Sequence, residues 1–330
     1  MQTEYLKIDP HLKEAPALDK AVELLNSSEL VAFPTETVYG VGAKVFDETA
    51  VKKIFTVKGR STGRALLVHI SQIKQLSGIV QQITPDARLL MDEFWPGPLS
   101  IILRAHKNLS PVVTGGNPTV GLRMPSHPVA RNLIDKTGPL AATSANLSGR
   151  PSPLTADHVK ADLNGKIAAI VDGGPALQGM ESTIIDMCRE PYLILRLGSI
   201  TVSDLERVLG KQLSIKQDES VQKHYETGFI LEVARDKQDF QRHLINNKQK
   251  AMGIIYFDHG EKTRVPDGCN IKEEYILAFN ENGSEFFSIL RDAEQKNLEV
   301  LLMAPLPESI NESLRDRITR AAHMDDKGVS

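Results

Sequence analysis

The residues best suited to chemistry lie between positions 30 and 69, where polar side chains separate two apolar runs. Small hydroxyl residues around one acid follow the first run: Thr35, Glu36, Thr37 and Tyr39. Five cations come next, with no acid among them: Lys52, Lys53, Lys58, Arg60 and Arg64. Guanidinium and ammonium groups bind carboxylate and phosphate oxygens, and hydroxyls complete such sites. The stretch therefore predicts a site for a small anionic ligand.

The elements of this stretch place its polar groups at strand ends. Residues 30–33 are apolar and predict a buried strand, and residues 65–70 predict another, with His69 near its end. Between them, Asp47 is a suitable N-cap for a helix, since Val51 and Ile54 recur at helical spacing. Ligands of α/β proteins bind at the ends of strands, so this order supports the same interpretation.

Later segments carry similar groups at predicted strand ends or in small-residue loops. They are Arg123, the run Thr143, Ser144 and Asn146, and the pair Ser182 and Arg196. Each has an ordinary structural interpretation when taken alone. A single arginine at a strand end usually forms a surface ion pair, and the Thr-Ser-Ala-Asn run is typical of a turn. His69 is as well explained as a core-edge histidine, and His127 as a helix cap.

Composition bounds the class of protein. The chain has 330 residues, which favours two domains, and its 41% hydrophobic and 25% charged content is that of a globular protein. A net charge of −3 argues against bulk electrostatic binding of nucleic acid, although a local basic patch remains open. The sequence contains no GxxxxGK[ST], GxSxG or HExxH motif and no GxGxxG after a strand.

The cysteines and the apolar segments suggest a compartment. Cys188 and Cys269 are far apart in sequence, so we expect two reduced, buried thiols. The N-terminus has no apolar core of a signal peptide, and no apolar run is long enough to span a bilayer. These features predict a soluble cytoplasmic protein without a membrane partner.

Predicted strands and helices alternate, but several strands follow one another directly. We therefore expect an α/β fold with a mixed sheet in a first domain, residues 1–210. Residues 211–227 are polar and predict a linker. Residues 228–330 alternate again between strand and helix patterns, which predicts a small Rossmann-like α/β domain with a parallel sheet.

The motifs of the first two-thirds of the chain, taken in order, resemble those of the YrdC-like family, in particular its long two-domain threonylcarbamoyl-adenylate synthases. The matching runs are Phe33-Pro-Thr-Glu-Thr-Val-Tyr-Gly40, Lys58-x-Arg60, Leu67-Val-His69, Trp95-Pro-Gly-Pro-Leu99, Val120-Gly-Leu-Arg-Met-Pro125, Ser144-Ala-Asn146, Glu181-Ser-Thr-Ile184 and Leu195-Arg-Leu-Gly198. The C-terminal third is similar more loosely, through the arginine-rich run of residues 314–322 and through His224-Tyr225 in the linker.

The resemblance implies a twisted mixed sheet around a large basic cavity, with the linker as a lid. It also implies an activity, in which L-threonine, bicarbonate and ATP, with Mg²⁺, give threonylcarbamoyl-adenylate and pyrophosphate. The product is the precursor of the N6-threonylcarbamoyl group of tRNA. Expected partners are therefore these substrates, together with tRNA and the threonylcarbamoyl-transferase that consumes the product.

The resemblance also implies roles for individual residues. Those expected to hold threonine are Thr37, His69, Arg123 on the carboxylate, and Ser182 near the hydroxyl. Those expected to contact ATP are Lys58, Arg60, Thr119, Ser144, Asn146, Ser152 and Arg196, with Lys58 and Arg60 as the catalytic cations. No metal-ligating residues are expected.

One loop departs from the family pattern, because Arg64 and Ala65 stand where an asparagine and a proline are usual. Arg64 then either supplies a different phosphate contact or indicates altered chemistry. Two alternatives to a synthase follow: a YrdC-like RNA-binding or regulatory protein without the activity, and an adenylate-forming enzyme for another acceptor.

Overall fold

The computed structural model describes residues 2–9, 15–216, 227–258, 262–278 and 283–322. The chain divides into two compact units, one comprising residues 1–148 and 152–217, and the other residues 149–151 and 218–330. Residues 217–226, and with them most of the predicted linker and His224-Tyr225, lie outside the described residues. The boundaries 1–210, 211–227 and 228–330 stay a prediction.

Local capping explains where several helices begin and end. The side chain of Asp47 accepts a hydrogen bond from the backbone N–H of Ala50, as its position before the helix predicts. Thr84 and Thr201 cap two later helices in the same way. The first of these three helices ends at Gly59, whose φ of 61° is the left-handed conformation that glycine adopts without strain.

The first unit is built on one mixed sheet. Its strands within the described residues are β1 (Glu4–Lys7), β2 (Val31–Phe33), β3 (Gly40–Lys44), β4 (Leu67–His69), β5 (Leu99–Arg104), β6 (Thr119–Arg123), β7 (Leu140–Ser144), β8 (Ala169–Asp172), β9 (Thr183–Asp186), β10 (Leu193–Arg196) and β11 (Ser214–Ile215). Their order is β1-β8-β2-β3-β7-β4-β6-β5-β9-β10-β11, and parallel and antiparallel neighbours are mixed. The predicted mixed sheet is confirmed.

Helices cover the sheet and bury two apolar clusters. The helices of this unit are α1 (Pro16–Asn26), α2 (Glu48–Lys58), α3 (Pro85–Phe94), α4 (Pro111–Thr114), α5 (Pro128–Thr137), α6 (Ala156–Leu163) and α7 (Val202–Leu209), with a 3-10 helix at Ile73–Leu76. Leu18 and Leu25 of α1 and Leu133 of α5 share one cluster. Val51 and Ile54 of α2 lie in the other cluster.

The second unit is a smaller α/β sheet in which every strand pairing is parallel. Its described strands are β12 (Ile230–Val233), β13 (Met252–Phe257), β14 (Ile271–Leu277) and β15 (Val300–Met303), in the order β12-β15-β13-β14. Its helices are α8 (Lys237–Asn246), α9 (Ser284–Gln295) and α10 (Glu312–Ala321). The predicted parallel α/β domain is confirmed.

Several local expectations differ from the structure. The sequence predicts no strand between Phe33 and Asp47, yet Gly40–Lys44 forms β3. Its glycines have a weak strand preference, but hydrogen bonds to β2 and β7 on either side outweigh it. The short edge strands β1 and β11 also lacked a clear sequence signal. Both cysteines are free as expected, but Cys188 and Cys269 are half-buried rather than buried. No helix in the described ranges is long and apolar enough to cross a membrane.

Candidate active site

A cavity of about 290 Å³ lies over the central strands of the first unit. Strands β3, β4, β6 and β7 are neighbours or near neighbours in the sheet, and each contributes to its wall. The residues with predicted ligand roles that line it are Thr37, Arg60, His69, Arg123, Ser144 and Arg196. Residues from five separate stretches of sequence thus meet in one site.

Small residues on the central strands leave the space for this cavity. Gly40, Gly121 and Ala142 all line it. A Cβ atom on Gly121 would lie 2.5 Å from Leu67 Cδ2, so a larger residue there would force side chains into the cavity. Because side chains alternate along a strand, Thr119, Gly121 and Arg123 share one face of β6. Thr119 begins the strand, and Arg123 ends it at the cavity.

Three of the four residues expected to hold threonine line the cavity, namely Thr37, His69 and Arg123. His69 and Arg123 are direct partners in the pairing of β4 with β6. Thr37 is fully buried, and its hydroxyl is 2.9 Å from that of Thr35, which also donates to the carbonyl of Val38. The threonine turn and two adjacent strand ends therefore face the same ligand space.

His69 is a neutral imidazole at physiological pH. Burial, followed by the positive charge of Arg123, lowers the pKa of His69 to about 3. The ring also packs edge-on against Phe33, with the ring centroids 6.4 Å apart. Its Nδ1 is buried and has no hydrogen-bond partner among the described residues. His69 thus lines the cavity as a neutral ring and adds no charge to the site.

Arg123 forms a buried ion pair with Glu36. Their side chains are 5% and 8% exposed, and Arg123 Nη2 lies 2.8 Å from Glu36 Oε1. The contact is close but too poorly aligned for a hydrogen bond, since Arg123 Nε and Nη2 have no acceptor within the described chain. The guanidinium is thus neutralised while two of its donor nitrogens make no hydrogen bond.

Two further arginines line the cavity and are held by the surrounding protein. Arg60 donates from Nη1 to the hydroxyl of Thr143 at 3.0 Å and from Nη2 to the carbonyl of Ala65 at 3.2 Å. Burial, and then the charge of Arg64, lowers the pKa of Arg60. Arg196 donates from Nε and Nη2 to the backbone and side-chain oxygens of Ser182, each at 3.0 Å.

Lys58 lies outside the cavity lining. Its ammonium group is buried at the end of α2 and donates to the carbonyls of Ser144 and Asn146, the latter at 2.5 Å. Asn146 in turn donates from Nδ2 to the carbonyl of Leu147. Lys58 therefore holds the end of β7 and the loop after it, and Ser144 at the end of β7 lines the cavity. Its position suits a residue that shapes the site through this loop.

Other predicted ligand residues also lie outside the cavity lining. Ser182 is fully buried, and its hydroxyl is 2.7 Å from that of Ser100. Ser152 donates to Glu181 Oε1 at 2.7 Å, and Glu181 lines the cavity. The structure thus brings six of the predicted site residues to the cavity and places Lys58, Thr119, Asn146, Ser152 and Ser182 outside its lining.

Sequence reasoning missed residues whose importance depends on distant partners. Thr35, Thr143 and Glu181 line the cavity without an assigned role, and Glu36 pairs with Arg123. Thr35 and Glu36 were visible as part of the polar turn, and Glu181 lay next to Ser182 in the matching motif. Nothing local indicated that Glu36 reaches an arginine 87 positions further along the chain.

The run of five cations is divided by the fold. Lys52 pairs with Glu48 on the surface of α2, and Lys53 pairs with Glu29. Arg64 is exposed and does not line the cavity, whereas its neighbour Ala65 does. One member of the run, Arg60, reaches the cavity. The cationic site is instead assembled from Arg60, Arg123 and Arg196, which come from three parts of the chain.

The lining suits a ligand with several negative charges. The cavity is lined by three arginines, several hydroxyls and one acid, Glu181, and strands of the sheet form part of its wall. In the described part of the chain, no group of three or more His, Cys, Asp or Glu side chains is arranged to hold a metal ion. The lining residues fit an anion-binding site of an α/β protein.

Comparison with known proteins identifies the family. The model of the family Sua5_yciO_yrdC, described as "Telomere recombination", matches residues 23–198, which is more than half of the chain. A relative from Bacillus subtilis named threonylcarbamoyl-AMP synthase is 37% identical over 324 residues, covering 93% of each chain. A relative of the same name from Schizosaccharomyces pombe is 32% identical and covers 97% of this chain. This chain belongs to the Sua5/YciO/YrdC family, in its long two-domain form.

A solved structure agrees over both units. The structure of P. abyssi Sua5 complexed with L-threonine is 31% identical, has a TM-score of 0.86, and aligns with 97% of this chain and 98% of its own. Escherichia coli YciO, at 24% identity and a TM-score of 0.55, shares the fold over 62% of this chain and 98% of its own. The predicted family and the predicted fold are both confirmed.

Proposed function

We propose that this chain is a threonylcarbamoyl-AMP synthase that joins L-threonine, bicarbonate and ATP and releases pyrophosphate. The observation that carries the proposal is the cavity, in which Thr37, His69 and Arg123 lie beside Arg60 and Arg196. Relatives of that name align with nearly the whole chain, and one aligned structure contains L-threonine. Such a reaction needs one site in which one part binds the amino acid and another part binds the phosphates.

The reaction consists of two bond-forming steps. The amine nitrogen of threonine bonds to the carbon of bicarbonate with loss of water, which gives a carbamate. A carbamate oxygen then attacks the α-phosphorus of ATP, and the bond to the β-phosphate oxygen breaks to release pyrophosphate. The carbamate is itself the nucleophile, so the protein must supply orientation and charge neutralisation. This explains why no catalytic triad is needed.

On this proposal Arg123 binds the carboxylate of threonine, and Thr37 and neutral His69 hold its other polar atoms. A guanidinium fork matches a carboxylate in shape and charge. His69 suits a zwitterionic amino acid because a charged imidazole beside Arg123 would repel the ammonium group. The amino-acid half of the site therefore binds by hydrogen bonds and one cation.

The nucleotide half consists of Arg60, Ser144 and Arg196, which contact the phosphates of ATP. Mg²⁺ enters as the ATP complex and is held through the phosphate oxygens. The remaining residues expected to contact ATP or threonine instead hold other parts of the site in place. Lys58 and Asn146 shape the loop of Ser144, whereas Ser182 orients Arg196.

The test is pyrophosphate release by the full chain with labelled bicarbonate. We expect release, and incorporation of label into the adenylate, when L-threonine, bicarbonate and MgATP are all present. The Arg123→Met variant serves as the control for the amino-acid half. Release without threonine would contradict the proposal. Absence of turnover together with tight, salt-sensitive RNA binding would instead favour a regulatory RNA-binding protein.

The finer partners of the reaction also belong to this proposal. The product is an activated carbamoyl group, so a transferase must carry it to the adenosine of tRNA. A second assay therefore adds tRNA and a threonylcarbamoyl-transferase, and the label is expected in the tRNA. Label that stays in the adenylate when both are present would contradict this part.

A further inference from the structure

Glu36 is a buried carboxylate beside the cavity to which the proposed reaction assigns no step. Its side chain is 8% exposed and does not belong to the cavity lining. Burying a charge is costly unless a partner of opposite charge and hydrogen bonds compensate it. Glu36 is nevertheless buried next to Arg123, whose side chain is 5% exposed and lines the cavity.

The backbone holds Glu36 on two sides. Its Oε2 accepts a hydrogen bond from the backbone N–H of Ser126 at 3.1 Å, and its own carbonyl accepts one from Gln178 at 2.8 Å. The carboxylate is thus anchored by groups that do not depend on side-chain rotamers. Its second oxygen, Oε1, is left directed at Arg123.

Arg123 is fixed along its backbone but loosely held at its tip. The residue ends β6 and pairs on both sides, with His69 of β4 and Ser100 of β5. Within the described chain, its Nε and Nη2 make no hydrogen bond although both are buried. The Nη2–Oε1 distance of 2.8 Å attracts by charge, while the poor alignment leaves these donors unused.

We infer that Glu36 is a positioning residue that sets the orientation of the Arg123 guanidinium for a substrate carboxylate. It holds the cation by charge at 2.8 Å, so that the guanidinium keeps one orientation at the cavity. This inference rests on the proposed function, in which Arg123 binds L-threonine. A purely structural pair would stabilise the fold without any preference between the two substrates.

The inference predicts a selective loss of affinity. Glu36→Gln keeps the size and the acceptor for Ser126 but removes the charge that orients Arg123. We expect the dissociation constant for L-threonine to rise about tenfold or more, and that for ATP to change less than about twofold. Calorimetric titration of the full chain with each ligand alone measures both constants.

A control variant and a double variant separate this role from a general loss of stability. Glu29→Gln breaks another ion pair of the first unit, with Lys53 at 2.8 Å, outside the cavity, and should leave threonine affinity unchanged. In the Arg123→Met background, Glu36→Gln should cause no further loss, because the two residues act as one unit. The double variant removes both charges and also keeps the test possible if Glu36→Gln alone does not fold.

The possible results are distinct. If the wild-type chain does not bind L-threonine, the proposed function is contradicted. If the wild type binds it and Glu36→Gln binds equally well or more tightly, the positioning role alone is overturned. An additive loss in the Arg123→Met background would likewise overturn it, and a loss confined to chains with Arg123 would support it.

Discussion

The two sheets of this protein share a strand-and-helix architecture, but only the first has the cavity described above over its central strands. In the second unit all strand pairings are parallel, and every residue of β13 and β15 is buried, as apolar strands covered on both faces require. In the first unit the central strands are mixed in direction, and small residues open a cavity of about 290 Å³ over them. One sheet is a packed core and the other carries the chemistry.

A glycine from each sheet shows how this difference arises. A Cβ atom on Gly253 of β13 would meet Leu298 and Leu301 at 2.7 and 2.9 Å, so neighbouring side chains already fill its space. Gly121 of β6 instead lines the cavity beside Leu67. A Cβ atom on Gly121 would also meet a side chain, Leu67 Cδ2 at 2.5 Å, but Gly121 and Leu67 both border open cavity space, which local sequence does not reveal.

The largest expected effect comes from closing that space. Gly121→Val should reduce pyrophosphate release at least about 100-fold, because the valine and the displaced Leu67 occupy the ligand volume. The fold should survive, since Leu67 has the cavity to move into. Pyrophosphate release and Trp95 fluorescence in urea measure the two properties. Trp95 is the single tryptophan and is buried in the first unit, so it reports on that unit alone.

The corresponding change in the second unit sharpens the contrast. Gly253→Val should lower the stability of its own sheet by about 1 to 3 kcal/mol through overpacking, with little effect on pyrophosphate release per folded molecule. Far-ultraviolet circular dichroism during heating follows the loss. Equal effects of the two glycine variants on activity would contradict the proposed division between site and core.

A second contrast lies within the first unit, between two cations two residues apart. Arg60→Met should lower pyrophosphate release about 100-fold with a small change in stability, because Arg60 lines the cavity and contacts the phosphates on the proposed function. Lys58→Met should destabilise the unit by about 2 to 3 kcal/mol, because the buried carbonyls of Ser144 and Asn146 lose their charged donor. Urea unfolding followed by Trp95 distinguishes the two. An unchanged urea midpoint for Lys58→Met would contradict its structural role.

A smaller effect is expected from the pH dependence of stability. The pKa of His69 is about 3 in the folded chain, below its ordinary value of 6.5, so the unfolded chain binds more protons between these values. Stability from this group is complete above pH 6.5 and decreases as the pH falls toward 3. Between pH 7 and 5 it should contribute a loss of about 2 kcal/mol.

The variant His69→Asn removes this contribution because asparagine does not titrate. As the pH falls, its urea midpoint, followed by Trp95 fluorescence, should therefore decrease less than that of the wild type. An identical decline in the two proteins would show that His69 is not held neutral in the folded chain.

The smallest effect is expected at the surface of α2. Lys52 and Glu48 are 57% and 47% exposed, so their ion pair is screened by water and salt. Lys52→Ala should change stability by less than about 0.5 kcal/mol and leave pyrophosphate release unchanged. A large loss of activity would mean that the cationic run acts as one surface, which the pairing of Lys52 and Lys53 with nearby acids argues against.

Much of the fold could be read from local patterns. Asp47 is predicted as a helix cap from its position, and its side chain accepts the expected hydrogen bond from Ala50. Strand β3 was missed because its glycines have a weak strand preference and pairing with β2 and β7 overrides it. Strand β14 (Ile271–Leu277) is also difficult to predict, since charged residues on its exposed face hide the apolar pattern.

The sequence by itself determined most element types and the family and predicted an anionic ligand, because caps, periodicity and motifs are properties of neighbouring residues. Only the tertiary structure decided which cations form the site. Strand order places Arg60, Arg123 and Arg196 around one cavity, and it directs Lys58 to carbonyls and Lys52 and Lys53 to surface acids. These outcomes depend on contacts between residues far apart in the chain, and local sequence does not encode such distances.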